Sequence, residues 1–263
     1  MSTAQPSPVP ATSSVYDELA ERIPDPRFVF MNHGYASSQG EDFSWLKSKL
    51  DFAFRYSVNL IRQTLEGVDL TGKVVLDVGC GRGGPCSYLV RYAKPKKVYG
   101  LDQSQGNIDF CRQAHRARNL RFIRGDAQAL PFDDASIDVV LNVESAHYYP
   151  DLAGFYREVA RVLRPGGVFC YADIVAPGEV ARNQRWMRSA GLERVRSADI
   201  TDDVARGIYL GSYHLHRLFF QMIDPKLGNE EAVVRLLNRI TIERYAGYTQ
   251  RERSYHLWRM RRP

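Results

Sequence analysis

From Trp45 to Leu65 the apolar residues Leu46, Leu50, Phe54, Val58, Ile61 and Leu65 recur in steps of four and three. That period places them on one face of an amphipathic helix. The pattern then changes. Residues 73–78 (KVVLDV) form a short, β-rich and nearly continuous apolar run, as expected of a strand covered on both faces in a parallel sheet. Similar runs follow at 97–101, 120–123, 137–143 and 168–174, most of them separated by helix-compatible stretches. Alternating strand and helix predicts right-handed crossovers and an α/β fold built on a doubly wound sheet.

The chain has 263 residues, 44% of them hydrophobic and 25% charged, which suits one main domain with decorations rather than a fibrous or disordered chain. Residues 1–14 are Ser, Thr, Pro and Ala with almost no large apolar side chains, so they are expected to be a disordered lead. No apolar run approaches the roughly 18 residues of a membrane span, and the start lacks a secretory layout. A cytoplasmic enzyme is the simplest expectation. Cys80, Cys86, Cys111 and Cys170 show no C-x-x-C pairing and read as reduced, mostly buried apolar residues. The net charge of +6 suits nucleic acid, an acidic carrier, an anionic membrane or plain solubility. Its basic residues are dispersed, apart from Arg251, Arg253, Arg259, Arg261 and Arg262, which read as a solvated strand edge and tail.

In doubly wound sheets ligands bind beyond the carboxyl ends of the strands, and here each of those ends carries a polar residue. The first strand runs into Asp77-Val78-Gly79-Cys80-Gly81-Arg82-Gly83-Gly84, a turn whose missing Cβ atoms let backbone approach a ligand. Gly79, Gly81 and Gly84 satisfy G-x-G-x-x-G, so a nicotinamide enzyme has to be weighed. Asp77 argues against it, because a carboxylate beside a pyrophosphate is repelled, whereas a phosphate-free ligand carrying an ammonium and a sulfonium is attracted. Asp102 ends the second strand, where it is placed to accept from a ribose diol, and Asp126 follows the third, where it is placed to accept from an adenine amino group. Each acid taken singly also suits a helix N-cap. As a set, spaced one per βα unit, they favour S-adenosylmethionine.

The segments VLDVGCGRGG, GLDQS, GDAQALPFDDASIDVV and REVARVLRPGG resemble the successive motifs of class I S-adenosylmethionine-dependent methyltransferases, closely over residues 70–175. Leu163-Arg164-Pro165-Gly166-Gly167 resembles that family's turn before the fifth strand. Upstream, Phe30-Met31-Asn32-His33-Gly34-Tyr35 is similar to the N-x-G-Y segment of a subgroup that includes tocopherol, phthiotriolone and polyketide or sugar methyltransferases, where a helical cap folds over the methionine end of the cofactor. The candidate cofactor-binding set is therefore Tyr35, Asn32, Asp77, Gly79, Gly81, Asp102, Gln103, Asp126, Ala127 and Asn142. A plain turn at Asn-His-Gly is the structural alternative for Asn32 and Tyr35.

By the same resemblance, His147 in Asn142-Val143-Glu144-Ser145-Ala146-His147-Tyr148-Tyr149-Pro150 occupies the place of a histidine that O-methyltransferases keep near the transferred methyl. Its ordinary pKa of about 6.5 suits general-base work. Shaping the pocket is its other reading. Asp173, at the end of the fifth strand, is placed to orient that imidazole or the substrate, or to cap the next helix. Residues 191–200 and 251–262 resemble the penultimate and the antiparallel closing strand, which makes the expected sheet seven-stranded and mostly parallel, with a helical N-terminal cap and an inserted helical lid. One domain over 15–263 is expected, with the cap at 15–69, the cofactor core at 70–175, the lid at 176–240 and the closing strand at 241–263.

Trp186, Tyr209, Tyr213, Leu215, Leu218, Phe219, Phe220 and Met222 are compatible with a bulky apolar acceptor pocket in the lid. The expected reaction is O-methylation of a hydroxyl on a small apolar metabolite, such as a polyketide or lipid, free or bound to a carrier protein. C-methylation of quinone type is the close alternative, and a nicotinamide-dependent oxidoreductase the alternative of another class. No convincing ligand cluster stands apart from the cofactor acids, so no metal is expected, and neither is a nucleic-acid partner.

Overall fold

A computed structural model describes residues 25–222 and 230–263. The expected lead at 1–14 lies outside the described residues, as do the side chains of Tyr213, Leu215, Leu218, Phe219, Phe220 and Met222. Two short helices, α1 (Lys49–Ala53) and α2 (Arg55–Leu65), precede β1 (Val74–Val78), α3 (Gly84–Tyr92), β2 (Lys97–Asp102), α4 (Gln105–Ala114) and β3 (Leu120–Arg124). Then come β4 (Ile137–Val143), a 3-10 turn (Ala146–Tyr148), α5 (Leu152–Val162), β5 (Leu163–Val175), α6 (Val180–Ser189) and β6 (Glu193–Asp199). Helices α7 (Thr201–Met222) and α8 (Glu230–Thr249) lead into β7 (Ser254–Arg261). The seven strands lie in the order β3-β2-β1-β4-β5-β7-β6, with β7 antiparallel to both its neighbours. This is the doubly wound sheet anticipated from the pattern, with the seven strands and the antiparallel closing strand that the resemblance implied.

Alternate residues of the central strands enter opposite cores. Val75, Cys170 and Leu257 pack with α2, α3 and α4 on one face, while Leu76, Tyr171 and Trp258 pack with α5 and α6 on the other. Tyr171 and Trp258 stack at 5.0 Å between ring centres, an aromatic contact across the β5/β7 register that adds to plain burial. The continuous apolar runs of the sequence reflect this two-sided cover.

Four boundaries differ from expectation. The helix read over 45–65 is interrupted at Phe54, and the chain before Ser48 is not helical. Asp42 accepts from the Ser44 N–H at 2.8 Å, a local turn that competes with helix, and the Ser48 hydroxyl then accepts from the Asp51 N–H at 3.0 Å to start α1. The Leu-Arg-Pro-Gly-Gly turn is taken up into the start of β5 as an irregular margin. There Gly166 adopts φ +77°, and its N–H donates to the Arg262 carbonyl at 2.7 Å. The region read as the closing strand begins with the end of α8, and the strand itself starts only at Ser254. The lid read over 176–240 takes in α6 and β6 as well as the inserted helical hairpin α7–α8, which stands between β6 and β7 and runs to Thr249.

The basic C-terminal stretch is only partly a solvated edge. Arg259 donates to the Glu66 carbonyl and Arg262 to the Leu163 carbonyl, tethering β7 to the ends of α2 and α5. Arg251 and Arg261 form exposed pairs with Asp202 and Glu193 at 2.9 and 3.3 Å.

Candidate active site

A cavity of about 720 Å³ opens beyond the carboxyl ends of β1 to β4, roofed by residues 29–32 of the segment that precedes α1. Its floor is the glycine turn after β1. Gly79 sits at φ +72°, and a Cβ built there would lie 2.2 Å from Ser145 Oγ, so only glycine lets this backbone pass under the β4 exit. The Asp102 carboxylate accepts from the Gly81 N–H at 2.8 Å and from the Ser104 N–H at 2.9 Å. The acid at the end of β2 thereby fixes the turn after β1; the Asn107 amide adds a longer bond to its Oδ1 at 3.4 Å, and Oδ2 keeps a further lone pair. Asp126 accepts from the Gln128 N–H at 2.8 Å and, with Gln103 and Ala127, completes that wall. Asn32 lines the opposite side, its Oδ1 accepting from the Gly34 N–H at 3.0 Å in a local turn.

Tyr35, Asp77, Asn142, His147 and Asp173 are close by but do not form the wall. Tyr35 is half-buried, and its phenol is pushed up to about 12, first by burial and then by the carboxylate of Asp203 on α7. Asp77 lies beneath the glycine turn, where its Oδ2 accepts from the Cys86 thiol at 3.3 Å; burial pushes its carboxyl up to about 7. Asn142 is fully buried and donates to the Val78 carbonyl at 2.9 Å and to Ser145 Oγ at 2.7 Å, joining the ends of β1 and β4. All four cysteines are buried and free.

The 3-10 turn after β4 carries His147 over the end of β5. Its Nδ1 lies 2.5 Å from Asp173 Oδ1, and its backbone N–H donates to Asp173 Oδ2 at 3.2 Å. Asp173 also accepts from the Ile174 N–H at 2.7 Å and is fully buried. A carboxylate accepts only, so the dyad places the neutral ring's proton on Nδ1 and the lone pair on Nε2. That Nε2 is buried and has no hydrogen-bond partner among the described residues.

Met31, Glu144, Ser145, Tyr148 and Tyr149 also line the cavity and were not singled out from the sequence. Glu144 stands out chemically. It adopts φ +52°, rare outside glycine, and accepts from the His33 N–H at 2.7 Å and from the Tyr255 hydroxyl at 3.0 Å. Burial pushes its carboxyl up to about 7. Its place beside His147 in the post-β4 segment was the only signal, because the turn that directs its side chain depends on partners more than a hundred residues away. Among the described residues no group of three His, Cys, Asp or Glu side chains is arranged to hold a metal ion.

Comparison with known proteins agrees with this architecture. Residues 76–171 match the methyltransferase domain. The chain is 41% identical over 198 residues to a fatty-acid O-methyltransferase of Mycolicibacterium smegmatis, a match spanning 75% of this chain and 72% of that protein. It is 42% identical over 193 residues to the phthiotriol/phenolphthiotriol dimycocerosates methyltransferase of Mycobacterium tuberculosis, spanning 73% and 71%. In fold it resembles the geranyl diphosphate C-methyltransferase of Streptomyces coelicolor, with a TM-score of 0.69 at 18% identity over 97% of this chain and 100% of that one. The strand order, the glycine turn with its Asp102 clasp and these similarities lead to one assignment: the chain belongs to the class I S-adenosylmethionine-dependent methyltransferases.

Proposed function

We propose that the protein methylates a hydroxyl group of a small, mostly apolar, lipid-like acceptor, with His147 as general base and Asp173 as the residue that orients it. The observation that carries this reading is the bare His147 Nε2, whose ring is held by Asp173 at 2.5 Å. An alcohol is a poor nucleophile until its proton is removed, and a neutral imidazole with a free Nε2 suits that task near neutral pH. The bound donor supplies an activated methyl group that already carries its leaving group. The protein's part is to hold the acceptor oxygen in line at about 3 Å and to take its proton on Nε2.

Asp102 and Asp126 are the acids we assign to the donor's ribose and adenine, with Gly79, Gly81, Gln103, Ala127 and Asn32 supplying the close-fitting wall. Asp77 and Asn142 support that wall from below, and Tyr35 ties the roof segment to α7 beside it. The carboxylates of Asp102 and Asp126 in the wall fit a phosphate-free nucleoside better than a pyrophosphate, whose charge they repel. The lipid-like acceptor follows from the relatives, whose names specify a fatty acid and phthiotriol dimycocerosates. No helix among the described residues is long and apolar enough to cross a membrane.

A carboxyl acceptor, suggested by the fatty-acid relative, is already ionised at neutral pH and needs no base. The test is turnover of methyl-labelled S-adenosylmethionine with long-chain alcohols and with fatty acids, for the wild type and His147→Ala. Loss of alcohol methylation in the variant supports the hydroxyl reading. Equal activity on fatty acids in both proteins, with alcohols inert, overturns it.

A further inference from the structure

A second histidine–carboxylate pair stands beside the first and is not used in the reaction just described. His33 directly follows Asn32, the last roof residue that lines the cavity, and its side chain is only 3% exposed. Its backbone N–H is held by Glu144 Oε1 at 2.7 Å. Its Nδ1 lies 3.0 Å from the Tyr248 hydroxyl of α8 and 3.5 Å from Glu144 Oε2. Tyr255 of β7 closes the other side, donating to Glu144 at 3.0 Å. The segment after β4 and α8 therefore fix this imidazole through its backbone and Nδ1, with β7 bracing Glu144, and its Nε2, like that of His147, is buried with no partner among the described residues.

Such a bare polar edge is costly unless something pairs with it. Asn32, the preceding residue, and Glu144, the partner, both line the cavity. Burial, with the positive fields of Arg244 and Arg253, holds the ring's pKa well below the usual imidazole range, and Tyr255 also donates to the carbonyl of Ala172, the residue before Asp173, at 3.3 Å, which sets the two histidine–carboxylate pairs side by side. A neutral imidazole presents either N–H or a lone pair at Nε2, according to which way the Tyr248 proton points. A hydroxyl satisfies both forms, because it donates and accepts.

We propose that His33 Nε2 binds a second hydroxyl of the acceptor, so that the substrate is a lipid-like diol held between His33 and His147, only the hydroxyl at His147 being methylated. This rests on the hydroxyl-acceptor reading above but is tested by binding, which does not require turnover. Glu144, Tyr248 and Tyr255 are the residues that position His33.

The experiment titrates the protein saturated with S-adenosylhomocysteine with 1-octanol, 1,2-octanediol and 1,3-octanediol, by calorimetry. The expected result is that at least one diol binds ten times or more tighter than the monool. His33→Phe removes that preference without changing affinity for 1-octanol or S-adenosylhomocysteine, and His33→Gln, which keeps a polar end, restores part of it. Unchanged cofactor affinity in His33→Phe establishes that the variant is folded. Equal affinity for all three probes, no binding of any of them, or a diol preference that survives in His33→Phe overturns the proposal. A diol preference without methylation of either hydroxyl instead sinks the general-base reading and leaves the subsite standing.

Discussion

The donor side and the acceptor side proposed above are assembled at different ranges along the chain. On the donor side, Asp102 clasps Gly81 across 21 residues and Ser104 across two, and Asp126 is set by Gln128 two residues on. On the acceptor side, His147 meets Asp173 across 26 residues, His33 meets Glu144 across 111 and Tyr248 across 215. Local clasps recur wherever a strand, a glycine turn and a helix follow each other, so the donor half is a property of consecutive βα units. The acceptor half is made by segments that only the finished fold brings together, and that is the half free to differ between relatives with one cofactor and different substrates.

The sharpest way to break this division is to remove one group from the acceptor half and ask whether the donor half notices. His147→Ala is expected to lower the chemical step by about 100-fold to 10,000-fold while S-adenosylhomocysteine binds with nearly wild-type affinity, read by single-turnover kinetics and calorimetry. A large loss of cofactor affinity would show that the two halves are one unit.

The converse substitution is smaller in effect. Asp102→Ala deletes an ionic acceptor from the donor wall and releases the Gly81 and Ser104 N–H groups. Losing hydrogen bonds to a charged group costs about 1.5–3 kcal/mol, or roughly 10-fold to 150-fold in S-adenosylhomocysteine affinity. Binding within a factor of two of wild type would remove Asp102 from the site.

How much of each half could be read from sequence follows from the same ranges. The strands, the glycine turn and the strand-end positions of the three acids were legible because burial on both sheet faces writes continuous apolar runs and each clasp lies within one unit or between consecutive ones. His147 was legible by position after β4, and Asp173 at the end of β5, because both sit at strand ends. Glu144 and the ring of His33 were not, since the left-handed turn at Glu144 and the contacts to Tyr248 and Tyr255 have no local signature. The helix break at Phe54 was hidden for a related reason. Phe54 continues the apolar face, and the interruption accompanies contacts of fully buried Asp51 with Arg91 and Tyr92 at 2.5 and 2.6 Å, far away in sequence. Tyr209, read as part of an acceptor pocket, is instead 65% exposed on α7.

A third test concerns the joint between the halves. A Cβ at Gly207 would lie 2.8 Å from the Gly34 carbonyl carbon and 2.8 Å from the Tyr35 nitrogen, so α7 touches the roof segment backbone to backbone. Gly207→Ala is expected to cost about 1–3 kcal/mol by overpacking, measured by urea unfolding, and to raise KM for the acceptor more than it weakens S-adenosylhomocysteine. An unchanged unfolding midpoint would mean that the roof moves away from α7 freely.

The finest comparison is by pH, because each half buries one carboxyl pushed up to about 7, Asp77 beneath the donor floor and Glu144 on the acceptor wall. Burial is the largest cause for both, so the folded protein holds protons there that the unfolded chain releases near pH 4. Between about pH 4 and 7 the native state therefore binds more protons than the unfolded state. Stability should fall as pH rises through that window and level off above it. Each group contributes at most about 1.4 kcal/mol per pH unit. Asp77→Asn and Glu144→Gln should each flatten part of the slope in urea unfolding of the protein without cofactor. Saturating S-adenosylhomocysteine, whose ammonium favours an ionised acid nearby, should flatten the part that belongs to Asp77 and leave the part that belongs to Glu144. If the cofactor instead removed the Glu144 contribution and spared that of Asp77, the donor's charge would face the β4 exit, and the boundary between the two halves would have to be redrawn through Glu144.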